Sequence, residues 1–243
     1  MGATGRSARP ARRIPPRSLS PAAPGAGAAG DVTRKLEKQI AIASAAGTVF
    51  GRERYARASV DALAAAAGVS TRTLYNHFPD GKAQLFRTVF TWTSAQVKDA
   101  QIDRIQAVLD PARLPRPEDL ERDLVALARS LVDLMADFPD HFALVRHIHA
   151  EADHVPPEVL RAWQEAGPEP VRRALTEAMG HLADAGMVDT HGDAALTAGH
   201  YTALTWQAIV QLSHHGIPPL PRDETDRLIS GRVAAFLRAY RAG

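Results

Sequence analysis

The sequence predicts an all-α fold of about nine helices, with a three-helix helix-turn-helix domain near the N-terminus and a larger helical domain after it. Apolar residues recur at spacings of three and four, which is the helical period. The clearest stripe is Leu120, Leu124, Leu127, Leu131, Leu134 and Phe138. The twelve prolines beyond residue 30 fall between such stripes or at their ends, where proline starts or stops a helix. No convincing run of alternating apolar residues argues for a strand.

Composition and charge divide the chain into three parts. Residues 1–30 are rich in Pro, Ala, Gly and Arg, and we expect a disordered basic arm because they lack the apolar surface to offset ordering entropy. Residues 1–30, 31–87 and 88–243 carry net charges of +5, +4 and −7. A basic N-terminal third on an acidic remainder favours a polyanion as partner of the first part. The arm either adds contacts along the groove of a nucleic-acid partner, or it is a passive tail or the product of an over-called start codon.

Several function classes lose support from the composition. The chain has no cysteine, so neither a disulfide framework nor a thiolate metal site is expected. It has no Gly-x-Ser-x-Gly motif and no Gly-rich phosphate loop, so we expect no enzyme and no cofactor. We find neither a long apolar run nor a secretory signal, and a cytoplasmic protein is expected.

Residues 60–78 have the pattern of a helix-turn-helix. A short amphipathic segment ends at Gly68, which can adopt the positive φ that closes a helix. Ser70 is a good N-cap for a second helix. Leu74 and Phe78, four residues apart, share one face of that helix and are expected to anchor it in the core.

The opposite face of the second helix is polar: it carries Thr71, Arg72, Tyr75 and Asn76, with Thr73 and His77 at its edges. A helix of this kind fits the major groove of DNA, where arginine can pair with guanine and asparagine with adenine. Hydroxyl groups suit phosphate oxygens. A merely solvated helix face would have a similar composition.

Residues 36–86 resemble the DNA-binding domain of the TetR family of bacterial transcriptional regulators. The matching residues are Phe50, Tyr55, Ser59-Val60, Ala67-Gly68-Val69-Ser70, Thr73-Leu74-Tyr75, His77-Phe78, Lys82 and Leu85-Phe86. The run from Phe78 to Lys82 has one residue more than the family pattern, which lengthens the joint before helix 4. The resemblance implies a DNA-binding domain over 31–81 and a second domain over 82–243.

The resemblance also implies roles for individual residues. Ser59 caps helix 2 and contacts the DNA backbone, while Thr71, Arg72 and Asn76 read bases. Phosphates are held by Thr73, Tyr75, His77 and Lys82, and the whole predicted DNA-binding set is Ser59, Ser70, Thr71, Arg72, Thr73, Tyr75, Asn76, His77 and Lys82. A lysine at a helix start opposes the helix dipole, and a phosphate would account for Lys82.

The C-terminal part is expected to bind an effector and to dimerise. By resemblance, helices over roughly 193–213 and 222–241 form a dimer bundle, with Leu204, Ile209, Leu212, Phe236 and Tyr240 as interface candidates. Candidates for the effector pocket are Trp92, Met135, Phe142, His147, Trp163, Tyr201 and Trp206. Each of these apolar residues could instead be ordinary core. The stretch 142–166, with Ala150-Glu151-Ala152 and a Trp-Gln-Glu-Ala-Gly-Pro segment, resembles the AefR-like subgroup.

A rival interpretation comes from the ten histidines. His147, Glu151 and His154 fall on one helical face and include a Glu-x-x-His spacing. A di-iron bundle needs a second such motif, which the sequence lacks, so no metal is expected. The favoured interpretation is a homodimeric repressor that a small molecule releases from a palindromic double-stranded operator through a shift of helix 4. An activator on the same scaffold stays open.

Overall fold

The computed structural model describes residues 26–150, 153 and 155–242. The first helix begins at Ala26, so residues 26–30 are helical and not disordered as expected. The rest of the expected arm, residues 1–25, lies outside the described residues.

The described residues form eleven helical segments and no β-strand, which confirms the all-α fold. Only Gly167 separates α7 from α8, and only Thr205 separates α9 from α10, so the segments make nine rods. The segments are α1 (Ala26–Arg57), α2 (Val60–Ala66), α3 (Thr71–His77), α4 (Gly81–Leu109), α5 (Leu120–Asp137), α6 (Pro139–Ala150), α7 (Pro157–Ala166), α8 (Pro168–Asp184), α9 (Ala194–Leu204), α10 (Trp206–Leu212) and α11 (Arg222–Tyr240).

Helix α1 contains a sharp break near its end. Arg54 has φ 67° and ψ 161°, far from helical values. The chain therefore changes direction before Arg57 and enters α2 through Ala58 and Ser59. Because α1 ends at Arg57, its last carbonyl groups lack the intrahelical donors that a continuing helix would supply.

Two hydrophobic clusters hold the helices together, and their boundary does not follow the expected one at 81/82. The N-terminal cluster contains residues of α1, α2, α3 and the first half of α4, together with residues of α6 and α7. The C-terminal cluster joins the second half of α4 with α5 and α8 to α11. Helix α6 belongs to both, because Leu144, Val145 and Ile148 lie in the first cluster and Phe142 lies in the second.

No helix in the described part of the chain is both long enough and apolar enough to span a bilayer.

Candidate nucleic-acid interface and cavity

The turn between α2 and α3 is closed by a Schellman motif. Gly68 has φ +64°, and its N–H donates to Ala65 O at 3.0 Å, while the N–H of Val69 donates to Ala64 O at 3.0 Å. These bonds satisfy carbonyls that the end of a helix leaves unpaired. Space around Gly68 is open, so its backbone conformation, and not crowding, requires glycine.

Serine caps fix the starts of both short helices. Ser59 Oγ accepts a hydrogen bond from Ala62 N at 3.0 Å, and Ser70 Oγ accepts one from Thr73 N at 3.1 Å. Leu74 and Phe78 are almost completely buried in the N-terminal cluster. The predicted caps and anchors are therefore present, and they determine which face of α3 points outward.

The outward face of α3 presents the predicted polar side chains. Arg72 and Asn76 are exposed, and Tyr75 is 47% exposed although it is a large aromatic residue. Thr71 and Thr73 are half-buried at the edges. The hydroxyl groups of Thr73 and Ser70 also bond each other at 2.9 Å. This surface offers a cation, an amide and hydroxyl groups on one short helix, the donors and acceptors that major-groove edges and phosphates match.

His77 is less exposed than the outward residues of α3. It is half-buried, and its Nδ1 is buried with no hydrogen-bond partner among the described residues. Its carbonyl oxygen accepts a hydrogen bond from Gln39 Nε2 at 3.1 Å, which ties the end of α3 to α1. Sequence reasoning missed Gln39, because a glutamine on a polar helix face gives no signal of a partner 38 residues away.

The extra residue before α4 is accommodated by a glycine with positive φ. Gly81 has φ +64°, and its N–H donates to Phe78 O at 2.8 Å. A Cβ at Gly81 would lie 3.1 Å from Cε1 of Tyr75, so the tyrosine ring packs over this turn. The lengthened joint before α4 therefore supports the ring of Tyr75, which lies on the outward face of α3.

Lys82 has partners inside the protein. Its Nζ donates to Tyr55 O at 3.0 Å and to Ala56 O at 3.5 Å, and it lies 4.7 Å from the centroid of the Tyr55 ring. Both carbonyls belong to the end of α1, beyond the break at Arg54. A lysine near the start of α4 is thus accounted for by these carbonyls, so the structure supplies a reason other than the phosphate that we expected.

A cavity of about 440 Å³ lies between α5, α6, α10, the 213–221 loop and the start of α11. Its wall is mostly apolar, with Val132, Met135, Phe142, Ile209 and Leu220 among the lining residues. Residues of α4 are not among those that line it. Its size lies within the range of small-molecule sites.

Charged side chains meet at this cavity from distant parts of the chain. Arg129 Nε and Asp226 Oδ1 form an ion pair at 2.7 Å across α5 and α11. Arg146 Nη1 donates to His215 O at 2.8 Å. Burial lowers the pKa of Arg146, and burial together with His149, Arg146 and His214 lowers the pKa of His215. Sequence reasoning did not select these charged residues, because only the tertiary fold brings them together.

Most of the predicted pocket residues lie elsewhere. Met135 and Phe142 line the cavity, but Trp92, His147, Trp163, Tyr201 and Trp206 do not. Tyr201 is fully buried and donates from its hydroxyl to Leu124 O at 2.7 Å, while Trp163 stacks on Phe90 in the N-terminal cluster. Tyr201, Trp163 and Trp206 pack in or against the two hydrophobic clusters, the alternative that the sequence had left open.

His147 connects α6 to the DNA-binding region. Its Nε2 donates to Gly51 O at 2.7 Å, and a Cβ at Gly51 would lie 3.9 Å from the Cβ of Ala143. Helix α6 therefore packs closely on α1 while Phe142 and Arg146 line the cavity. The other two members of the alternative metal set, Glu151 and His154, lie outside the described residues.

His141, also on α6, is buried between aromatic rings. Its Nδ1 is 3.2 Å from Thr93 Oγ1, and its ring stacks on Phe90 with centroids 6.0 Å apart. Burial lowers the pKa of His141 from 6.5 to about 4. The neutral imidazole is thus part of the packing between α4 and α6.

The predicted dimer residues separate into two groups. Ile209, Phe236 and Tyr240 are buried within the single chain, so they have little or no free surface to offer a partner. Leu204 and Leu212 are 38% and 51% exposed, and Leu196, which the sequence analysis did not select, is 53% exposed. The spacing of eight residues places these three leucines along α9 and α10.

Comparison with known families gives two matches along the chain. Residues 42–89 match the model described as bacterial regulatory proteins, tetR family. Residues 122–242 match the model described as AefR-like transcriptional repressor, C-terminal domain. Among curated proteins, no sequence is significantly similar to this chain.

Solved structures of similar fold cover nearly the whole described chain. One described as a TetR-family transcriptional regulator from Mesorhizobium loti is 28% identical, with a TM-score of 0.70 over 86% of this chain and 99% of that chain. The flavonoid-responsive regulator FrrA is 26% identical, with a TM-score of 0.60 over 84% and 97%. The fatty acid degradation regulator FadR from Bacillus halodurans, at 17% identity and a TM-score of 0.60 over 82% and 94%, shares the fold.

Proposed function

We propose that this chain, which belongs to the TetR family of bacterial regulatory proteins, is a homodimeric repressor that a small molecule releases from a palindromic operator. The observation that carries the proposal is the outward face of α3. Leu74 and Phe78 anchor that helix, which leaves Arg72, Tyr75 and Asn76 exposed on a rigid support.

Each side chain of this face has a proposed role. Arg72 and Asn76 read base edges together with Thr71, because their donors and acceptors can form paired bonds with guanine and adenine. Tyr75, Thr73 and Ser70 position the helix on phosphates, with Ser59 at the start of α2 and His77 at the end of α3. Lys82 is proposed as a secondary phosphate contact. Its main role is structural, because it bonds carbonyl groups at the end of α1.

Selection of bound sequences from a random pool of duplex DNA by the full chain tests the proposal. A palindromic motif with half-sites one helical turn apart, or a multiple of it, is expected from a two-fold protein. Arg72→Ala should weaken binding by about 1–3 kcal/mol and relax preference at one position of each half-site. Arg238→Ala removes an equally exposed arginine from α11 and serves as the control. Unchanged affinity and preference in Arg72→Ala would refute the base-reading role.

The proposed dimer uses the exposed leucines of α9 and α10. Leu196, Leu204 and Leu212 are large apolar side chains left exposed by one subunit, and a second copy related by a two-fold axis would present the same leucines to them. The relative FrrA is named for its response to flavonoids, and the cavity gives this chain a site for a small molecule of its own.

Size-exclusion chromatography with light scattering tests the interface. Leu204→Glu should shift the protein toward monomer, because a carboxylate would be desolvated in the interface. Leu36→Glu is a matched control, since Leu36 on α1 is also 38% exposed. A dimer of unchanged stability in Leu204→Glu would place the interface elsewhere.

Coupling between effector and DNA is proposed to run through α6, in place of the shift of α4 that we expected. Phe142 and Arg146 line the cavity, and the next residue, His147, bonds α1 at Gly51. A ligand that binds more tightly when α6 is displaced would favour that displaced state. Because α6 is bonded to α1, the displacement would change where α1 holds α2 and α3.

Variants of two histidines test the coupling through α6. A compound found by thermal-shift screening of the purified protein should release DNA from the wild type. His147→Asn should bind the compound equally well yet need more of it to release DNA, because the bond to Gly51 O is lost. His181→Asn removes a histidine of α8 that is half-buried like His147 but makes no side-chain hydrogen bond among the described residues, and it should behave as the wild type. Equal release by both variants would exclude this route.

A further inference from the structure

The cavity is an apolar chamber with an excess of cationic side chains. Three arginines line it, Arg129, Arg146 and Arg222, against two carboxylates, Asp133 and Asp226. Arg129 and Asp226 neutralise each other in their ion pair at 2.7 Å. Asp133 on α5 and Arg222 at the start of α11 are both exposed. The charge that remains is that of the half-buried Arg146, and it is positive.

Arg146 has no carboxylate partner among the described residues and, unlike the exposed Arg222, it is half-buried. Its one hydrogen-bond partner among the described residues is the neutral carbonyl of His215, which takes Nη1 at 2.8 Å. The remaining N–H groups of its guanidinium are free to donate. Apolar groups surround it, with Phe142 one turn earlier on α6 and Met135 and Ile209 across the chamber. An arginine held in such a place gains strongly from an anion.

The loop that holds Arg146 has an unusual backbone. His214, His215 and Gly216 all have positive φ, at 45°, 58° and 91°. Gly216 N donates to Ser213 Oγ at 3.0 Å, and the His215 carbonyl points to Arg146. Positive φ at two successive histidines is costly and persists where the surrounding structure requires it. The loop thus orients Arg146 before any ligand binds.

We propose that the cavity binds an organic carboxylate with an apolar body, and that the guanidinium of Arg146 holds the carboxylate. The planar fork of arginine matches the two oxygens of a carboxylate, whereas the apolar wall accepts the rest of the molecule. This inference rests on the proposed effector role of the cavity, and it adds the chemical class of the effector.

Calorimetric titration of the full chain without DNA tests the ligand class. Decanoate and naphthoate provide a flexible and a flat apolar body, and decanamide and naphthamide are their uncharged counterparts. At least one carboxylate should bind roughly tenfold or more tightly than its amide, as expected for a charge-assisted pair. In Arg146→Met this preference should disappear while the amide affinity stays the same, which shows that the cavity is still formed. Arg238→Met is the control for loss of an exposed arginine.

Three results would overturn the proposal: equal affinity of each carboxylate and its amide, a preference that survives in Arg146→Met, or no binding by either carboxylate. Failure of the proposed function gives a different result. In that case a carboxylate binds through Arg146 but leaves the affinity for the selected DNA unchanged. Release of DNA by an uncharged compound that binds the same cavity would have the opposite meaning, since the effector role would stand and the ligand class would fall.

Discussion

The helix-turn-helix (residues 60–78) and the cavity differ in how far apart along the chain their interacting residues lie. Capping bonds within three residues fix the starts of α2 and α3, and bonds within five residues close the turn at Gly68. At the cavity, the Arg129–Asp226 pair spans 97 residues and the Arg146–His215 bond spans 69. Local rules of capping and turn geometry therefore describe the first region, whereas only the complete fold creates the second.

The largest expected effect comes from a buried anchor of the helix-turn-helix. Phe78→Ala should lower the free energy of unfolding by about 3–5 kcal/mol, because it leaves a cavity in the N-terminal cluster. Urea denaturation followed by circular dichroism measures this. Tyr75→Phe, on the outward face of the same helix, should change stability by less than about 0.5 kcal/mol. Similar losses in the two variants would contradict the division of α3 into anchoring and outward faces.

The second effect concerns α6, between the two regions. The pKa of His141 is about 4 in the fold and 6.5 without burial, so the unfolded chain takes up the proton first. The contribution of the neutral His141 to the free energy of unfolding is fully present above pH 6.5. It is lost as the pH falls toward 4, and the loss reaches up to about 3 kcal/mol. Urea denaturation across this range should show a shallower loss in His141→Leu than in the wild type. Parallel pH profiles would indicate that His141 does not titrate in this way.

Two glycines with the same φ separate backbone strain from crowding. Gly68→Ala and Gly81→Ala should each cost roughly 1–2 kcal/mol, the penalty of a left-handed conformation for a residue with a Cβ. Only Gly81→Ala also displaces the Tyr75 ring, which lies 3.1 Å from the new Cβ. It should therefore weaken DNA binding beyond what its stability loss explains. Equal DNA affinities for the two folded variants would remove this role of the joint.

The smallest effects test the local rules themselves. Ser59→Ala and Ser70→Ala should each lower stability by about 1 kcal/mol through loss of a cap. Asp80 occupies the equivalent position before α4 but makes no side-chain cap bond, so Asp80→Ala should be nearly neutral. A cost at Asp80 as large as at the serines would indicate that something other than capping stabilises these sites.

The sequence was sufficient for the features that depend on near neighbours. The caps at Ser59 and Ser70, the positive φ of Gly68 and the burial of Leu74 and Phe78 were all predicted. In each case the controlling contact lies within one or two helical turns, or the apolar spacing identifies the buried face.

The remaining features depend on chain crossings that periodicity does not reveal. Lys82 reaches the carbonyls of Tyr55 and Ala56 at the end of α1, 27 and 26 residues earlier in the chain, and no sequence pattern indicated this contact. The apolar stripes of α9 to α11 cover both core and surface, so Tyr201 and Phe236 could not be separated from Leu204 and Leu212 without the fold. The cavity arginines lie on ordinary polar helix faces until α10 and α11 meet α5 and α6.

The double membership of α6 in two hydrophobic clusters limits how this protein can be recombined. A chimera cut after residue 81 would remove α4 and, with Leu144, Val145, Ile148 and Val159, the part of α6 and α7 that completes the cluster supporting α1, α2 and α3. A donor chain would have to replace that apolar surface with a matching one, as well as an acceptor of the His147 proton at Gly51. Transplanting the DNA specificity of this regulator is therefore expected to succeed by exchange of the outward side chains of α3, and to fail by exchange of whole domains.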